Sequence, residues 1–298
     1  ELLTVPRVLH LLPAAGYANT DFLAAADTLG VEIVACADYC HRLAPVWGLP
    51  PLMSVPFDQP DIALPRVLEL LDGAVDAVLA VDDHGQALAA GLRTALGLPG
   101  NPPAAVAALT DKLRFRELQR SLGLPHPEFA TVADPSDPAV LPAFPVVVKA
   151  RRLNASRGVI RADDAEQLAQ AQQRVRRIQA RVEREAGSPL VERFIPGAEA
   201  ALDGVLRDGT LTVLAVFDKP DPLDGPYVEE TLFVTPSRLP EVMQAIFAAS
   251  VEKVCRAAGI TEGVVHAEAR INEADVYLLE VAPRGIGGLC GRVLASTL

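Results

Sequence analysis

Hydrophobic spacing changes character along this chain, and that change limits the fold more than any other feature. In the first hundred residues the apolar runs are continuous: Arg7-Val-Leu-His-Leu-Leu12, Val31-Glu-Ile-Val-Ala-Cys36 and Ala77-Val-Leu-Ala-Val81. Helical segments follow near Asp21–Leu29 and Ile62–Leu71, and a third runs to about Leu96, where Gly97 ends it. A Pro-rich crossover (Pro45, Pro50, Pro51, Pro56, Pro60) precedes the second of these. Continuous apolar strands alternating with helices predict a parallel sheet with ligands at the strand C-terminal ends. Towards the other end, Val264–Asn272 and Val276–Ala282 alternate apolar with polar, and Glu273-Ala-Asp275 reads as the turn of a hairpin. Two kinds of sheet in one chain predict separate domains with a cleft between them.

The hairpin carries the chemistry. Pairing Ile271 with Tyr277 sets Glu268 directly opposite Glu280, with Cβ atoms roughly 4.5–5.5 Å apart. The other face then carries Val265, Ala267, Ala269 and Ile271 against Tyr277, Leu279 and Val281, a core-facing set. Like charges opposed in a sheet are destabilising unless something cationic lies between them. Oxygen ligands at that spacing suit Mg²⁺ holding substrate phosphates. The alternative is an exposed strand pair whose acids are solvated. Arg284 follows four residues after Glu280.

A chain of 298 residues has room for two or three domains with full cores. Its net charge of −11 argues against a general nucleic-acid or anionic-membrane binder. Arg174, Arg176, Arg177, Arg181 and Arg184 lie among Ala, Gln and Glu, which reads as a solvated helix face. No apolar run reaches the roughly 18 residues of a membrane span, and no signal peptide opens the chain. Cys36, Cys40, Cys255 and Cys290 make no CxxC spacing, so Cys36, Cys40 and His41 read as thiols beside a loop histidine and not as a zinc site. This usage predicts a cytoplasmic protein. Only Gly16 follows the first strand, which excludes a nicotinamide dehydrogenase with its glycine fingerprint.

Between these regions, Leu98–Pro103 reads as a linker, and Thr110 as the N-cap of a helix to about Leu122, stopped by Gly123 and Pro125. A Pro/Asp-rich loop (Ala133–Pro142) leads to the strand Phe144–Lys149, then to the loop Asn154–Gly158 and a helix over about Asp163–Ala186. Strands follow at Leu190–Ile195, Ala200–Leu206 and Thr210–Asp218, the last two joined by Asp208-Gly209, and a helix near Pro240–Ala258 ends at Gly259. Lys149 at a strand end is a phosphate ligand or a lysine reaching solvent. Lys112 is likewise a phosphate ligand or a surface cation. The small-residue loop either aims backbone N–H groups at phosphate or merely connects two strands. The edge Glu192–Ile195 could offer backbone groups to an adenine, with Phe194 or Ile195 covering its face and Glu199 accepting from the ribose. It could equally be a strand and turn with two solvated acids.

Taken in order, Asp111-Lys112, Phe144–Lys149, Asn154–Val159, Glu192–Glu199 and Glu268–Arg284 resemble the ATP-grasp superfamily over about residues 110–298. The first hundred residues look like the domain that usually precedes it. The resemblance implies an α/β fold: a parallel α/β domain (1–108), a small lid domain with its preceding helix (109–189) and a large domain (190–298). It implies ATP and Mg²⁺, with Mn²⁺ as an alternative. Lys112 and Lys149 would hold the α- and β-phosphates, and the Ser156–Gly158 loop would close over the phosphates. Glu192–Ile195 would be the adenine hinge and Glu199 would bind ribose. Glu268 and Glu280 would coordinate the metal, and Arg284 would steady the transferred phosphoryl group and the acyl-phosphate intermediate. Lys219 matches loosely as a further phosphate contact. Many such enzymes read Glu-x-Asn-Pro-Arg where this chain reads Glu280-Val-Ala-Pro-Arg284, so Ala282 stands in the place of a metal-completing Asn. Together with His266-x-Glu268, this is similar to carboxylate–amine ligases that join L-amino acids. Such enzymes usually continue well beyond position 298, so the reading includes C-terminal truncation. The implied activity is amide formation between small-molecule carboxylate and amine through an acyl phosphate, in a homodimer by superfamily habit. A bicarbonate-activating carboxylase and a non-catalytic nucleotide-binding module are the alternatives. Glu230, His266 and Glu273 stand near the chemistry as structural residues first and substrate-binding residues second.

Overall fold

The computed structural model describes residues 5–14, 16, 18–39, 46, 52–131, 141–182, 187–228 and 232–297. Cys40, His41, Arg184, Glu230 and nearly all of the loop 133–142 lie outside them. The continuous apolar runs form β1 (Arg7–Leu12), β2 (Glu32–Ala37) and β4 (Ala77–Ala80), with α1 (Asn19–Leu29), α2 (Pro60–Leu70) and α3 (Asp83–Leu96) between and after them. A short β3 (Leu52–Ser54), inside the segment expected to be a crossover, completes a sheet ordered β3-β2-β1-β4, and every pairing in it is parallel. Leu9, Leu11, Val78, Leu88 and Leu92 form its core. Gly97 closes α3 in the left-handed conformation (φ 67°), where a Cβ would be strained. The C-terminal end of β4 therefore delivers Asp82 and Asp83 to the sheet edge, with the Asp82 side chain capping α3 at Gly85 N–H (3.2 Å).

The middle sheet is antiparallel, ordered β5-β8-β6-β7, from β5 (Phe129–Thr131), β6 (Val146–Lys149), β7 (Val159–Ala162) and β8 (Leu190–Arg193). Leu168, Ala171 and Val175 of α6 (Ala165–Val182) pack on it. β8 bonds to β5 and β6, so residues 190–193 belong to this sheet, although a division at 189/190 places them in the last domain. The strand also ends at Arg193, short of Ile195.

The last sheet is antiparallel and ordered β10-β9-β11-β12, built from β9 (Ala198–Arg207), β10 (Thr210–Lys219), β11 (Gly263–Ile271) and β12 (Val276–Ala282). Asp208 (φ 51°) and Gly209 (φ 73°) both take positive φ, the turn that matches strand twist. α4 (Pro103–Thr110), α5 (Lys112–Ser121) and α7 (Glu241–Ala258) cover one face, where Ala105, Phe115 and Phe247 share a core with Leu278 and Val281. Burying one such phenylalanine contributes about 2–3 kcal/mol. α8 (Cys290–Thr297) follows β12.

Two expectations are corrected here. Pro103 does not break structure but opens α4, because a missing N–H costs nothing at the first helical position. Thr110 is then the last residue of α4, its hydroxyl donating to Val106 O (3.0 Å), and Asp111 is the cap of α5, accepting from Leu113 and Arg114 N–H. The second concerns the hairpin. Glu268 does face Glu280, but a bulge between Glu268 and Ala269 shifts the remaining pairs, so Ile271 meets Val276 and not Tyr277. Val276 and Leu278 consequently enter the core, and Leu279 turns to the cleft.

Candidate active site

The three sheets meet at one cleft of about 1330 Å³. Lys112, Lys149, Ser156, Glu192, Phe194, Ile195, Glu199, Glu268, Glu280 and Arg284 all line it. Gly158 does not line it. It sits at the loop base with φ 71°, where a Cβ would come within 3.0 Å of Ala150 Cβ, so its need for glycine is one of backbone and packing.

The lysines are anchored before any ligand arrives. Lys112 Nζ donates to Leu153 O (2.7 Å) and lies 3.4 Å from Glu280 Oε2. Lys149 Nζ lies 2.7 Å from Glu192 Oε2, and burial lowers the lysine pKa although Glu192 opposes the change. Glu192 also takes Arg116 on both oxygens, at 2.7 and 3.2 Å, and Arg116 in turn donates to Leu278 O and Leu279 O. Burial alone would raise the Glu192 pKa, but Arg116 and Lys149 hold it at about 2. Its side chain is therefore a buried ion-pair hub, and only its neighbours Phe194 and Ile195 remain to face a base. The Phe194 ring has guanidinium carbons of Arg161 and Arg270 at 4.3 and 4.9 Å from its centre. Leu279, brought to the cleft by the bulge, adds apolar lining that alternation had assigned to the core.

Glu199 holds Lys219 (3.0 Å) on one oxygen and Arg270 (3.2 Å) on the other. A carboxylate has about four lone-pair sites, so both contacts leave acceptors for hydroxyl groups. Lys219 Nζ also reaches Glu268 Oε1 at 3.1 Å. On the same oxygen His266 Nε2 sits at 3.2 Å, and His266 Nδ1 is 2.9 Å from Asp203 Oδ1. Burial would lower the imidazole pKa, but Asp203 and Glu268 raise it to about 9, so the ring is an imidazolium donating to both. Burial also opposes ionisation of Glu268, and Lys219 and His266 outweigh it, so the Glu268 pKa falls. The opposed glutamates thus lean apart, Glu268 to Lys219 and His266, Glu280 to Lys112 and to Arg284 NH2 (3.8 Å).

Two carboxylates facing one cleft fit a hard cation that completes its shell with water and phosphate. They do not fit an all-protein cage: among the described residues no group of three or more His, Cys, Asp or Glu is placed to hold a metal. Ala282 in the place of an Asn agrees with that short ligand set.

Some site residues were not singled out in the sequence. Arg270 shares a strand face with His266 and Glu268, a period-two signal that could have found it. Asp83 stood at a parallel-strand C-terminal end, the expected ligand position. Arg116 carries no such signal, since it reads like any helix-surface arginine. Glu273 is exposed at the hairpin tip, away from the cleft.

The profile of the family described as "ATP-grasp domain" matches residues 142–293. Carnosine synthase 1 of Gallus gallus is 33% identical over 246 residues, which cover 75% of this chain and 26% of that protein. A D-alanine–D-alanine ligase of Pseudomonas putida (strain GB-1) is 33% identical over 131 residues, 42% of this chain and 39% of that one. The crystal structure of an L-amino acid ligase from Bacillus licheniformis superposes with a TM-score of 0.79 at 24% identity, covering 96% of this chain and 68% of that one. The chain belongs to the ATP-grasp family, whose members use ATP and divalent metals. It spans only about a quarter to two fifths of the length of the two curated relatives. Among the described residues no helix is long and apolar enough to cross a membrane.

Proposed function

We propose that this chain carries the nucleotide site and ligating centre of an ADP-forming carboxylate–amine ligase acting on an amino acid. One observation carries the reading: Glu268 and Glu280 oppose each other in register and open into the cleft that holds Lys112, Lys149 and Arg284. The names of the two curated relatives, a carnosine synthase and a D-alanine–D-alanine ligase, support the substrate class.

In this reading Lys112 and Lys149 bind the α- and β-phosphates of ATP, and the Ser156 loop covers them. Phe194 and Ile195 receive adenine at the end of β8, with Leu279 packing against it, and Glu199 accepts from the ribose. Glu268 and Glu280 would hold Mg²⁺, or Mn²⁺, which when bound would screen the phosphate charge. Arg284 aligns the substrate carboxylate, whose oxygen attacks the γ-phosphorus as ADP leaves. The amine then attacks the acyl carbon, loses a proton and expels phosphate. The catalytic help is positioning and charge neutralisation, and the middle sheet acts as a lid that keeps water from the acyl phosphate. We place the protein in the cytoplasm, where Cys36 and Cys255 stay as thiols whose pKa burial pushes up to about 12.

Glu280→Ala tests the reading. ADP release, measured by a coupled assay with amino-acid substrates, should be lost. The thermal midpoint should hold, because the substitution also relieves a like-charge opposition. Normal turnover by the variant would remove Glu280, and with it a metal held between the two glutamates, from the reaction.

A further inference from the structure

An anionic side chain sits where the proposed chemistry calls for cations. Asp83, the first residue of α3, places its carboxylate in the cleft beside Lys112, Asn154 and Arg284. Its Oδ2 accepts from Arg284 Nε at 2.9 Å and from Asn154 Nδ2 at 2.6 Å. Its Oδ1 has no hydrogen-bond partner among the described residues. Asp82 next to it has a plain structural task, the cap on α3; Asp83 makes no such bond to its own helix. Arg284 for its part gives Nε to Asp83 and NH1 to Gly285 O (2.9 Å), while its NH2 comes no nearer than 3.8 Å to Glu280.

Burial works against ionisation of Asp83, and Arg284, Asn154 and Lys112 overcome it, so the carboxylate is charged. A fixed negative charge beside phosphate and carboxylate substrates repels both. It becomes useful if the incoming molecule also brings a positive charge. Donors left on Arg284 and an acceptor left on Asp83, side by side, match a molecule bearing both signs one or two carbons apart.

We propose that Asp83 and Arg284 form a zwitterion receptor: Arg284 takes the carboxylate to be phosphorylated, and Asp83 Oδ1 takes the ammonium group next to it. This rests on the ligase reading above and deepens it, since it makes the activated substrate an amino acid and not a simple carboxylic acid. An ionised carboxylate steadied by cations is a poor proton acceptor, so Asp83 binds the ammonium and does not deprotonate it. Phe22, Ala25, Leu289 and Leu294 line the same cleft and suit an apolar side chain.

The test compares L-alanine, L-leucine, L-phenylalanine and β-alanine with propanoate, 4-methylpentanoate and 3-phenylpropanoate. Binding is read by calorimetry and ADP release by the coupled assay, in the wild type and in Asp83→Asn. Asparagine keeps an acceptor for Arg284 and Asn154 but loses the charge. The wild type should bind at least one amino acid more tightly than its des-amino partner. Asp83→Asn should weaken the amino acid roughly ten- to hundredfold and leave the des-amino acid unchanged or tighter. Equal losses for both sets would make Asp83 a mere tether for Arg284 and overturn the receptor, as would a wild type that binds none of the amino acids. The ligase reading fails on a different result, namely no ADP release with any carboxylate of either kind, and the binding contrast remains readable in that case.

Discussion

Glu192 and Glu268 are both strand carboxylates that meet two cationic side chains, yet only one is arranged to exchange partners. Glu192 is 2% exposed, takes Arg116 on both oxygens and Lys149 at 2.7 Å. Arg116 is itself locked by Gln119 and two carbonyls of β12. Every strong donor there is spoken for. Glu268 is 19% exposed and receives Lys219 and His266 on the same oxygen at 3.1 and 3.2 Å. Across the ladder Glu280 is more open still, with contacts of 3.4 and 3.8 Å. A saturated pair fixes geometry, whereas a pair with spare lone pairs at a cleft can bind. The lesson is that exposure of the carboxylate and its spare lone pairs, not the count of charges or the burial of the donors, separates the scaffold of this site from its working face.

The sharpest way to break that contrast is Arg116→Met. It leaves Glu192 buried with Lys149 alone and removes the bonds to Leu278 O and Leu279 O. Stripping one partner from a buried pair costs about 3–5 kcal/mol, which urea denaturation would register as a drop in midpoint with little change in slope. Glu280→Ala, by contrast, should be nearly silent in the same experiment. If the two variants lose equal stability, the distinction between scaffold and working face falls.

That distinction also marks what the sequence made legible. Short-range periodicity exposed the parallel and antiparallel sheets, the stops at Gly97 and Gly259, the turn at Asp208-Gly209 and the opposition of Glu268 to Glu280. It could not show Arg116, whose partner Glu192 lies 76 positions away. Nor could it show β5, three residues long and paired only across the fold with β8. The bulge after Glu268 is a one-residue event that alternation cannot register, and it alone moved Tyr277 and Leu279 out of the core. α4 was hidden because Pro103 looks the same whether it ends a linker or opens a helix.

The two clusters should also fail at opposite ends of the pH scale. Glu192 has its folded pKa depressed from 4.5 to about 2. Its contribution is therefore complete above pH 4.5 and lost as pH falls through about 2. His266 has its pKa raised from 6.5 to about 9, so its contribution is complete below pH 6.5 and lost as pH rises through about 9. Each limb amounts to a few kcal/mol. Denaturation of the wild type across this range should show both limbs. His266→Gln should flatten the alkaline limb only, and a variant that keeps that limb would show that some other group titrates there.

The smallest expected effect is the most discriminating, because two influences oppose each other in it. His266 orients Glu268 through Nε2 and brings a positive charge to within 3.2 Å of it, while Asp203 Oδ2 accepts from Ile286 N–H (3.0 Å) and ties the dyad to the loop after Arg284. Losing the orientation would weaken a divalent ion at Glu268, and losing the charge would strengthen it. Glutamine keeps a donor near the Nε2 position and removes the charge, so the second influence should win. His266→Gln should lower the Mg²⁺ concentration for half-maximal ADP release by a few-fold, and Mn²⁺ binding to the resting protein, followed by electron paramagnetic resonance, should tighten in step. The cost falls on Asp203, which loses a charged donor worth about 1.5–3 kcal/mol in a buried setting, so the thermal midpoint should drop as ion affinity rises. Affinity and stability moving in opposite directions is the signature of an imidazolium acting on Glu268 by charge; if both fall together, its role there is to hold the strand.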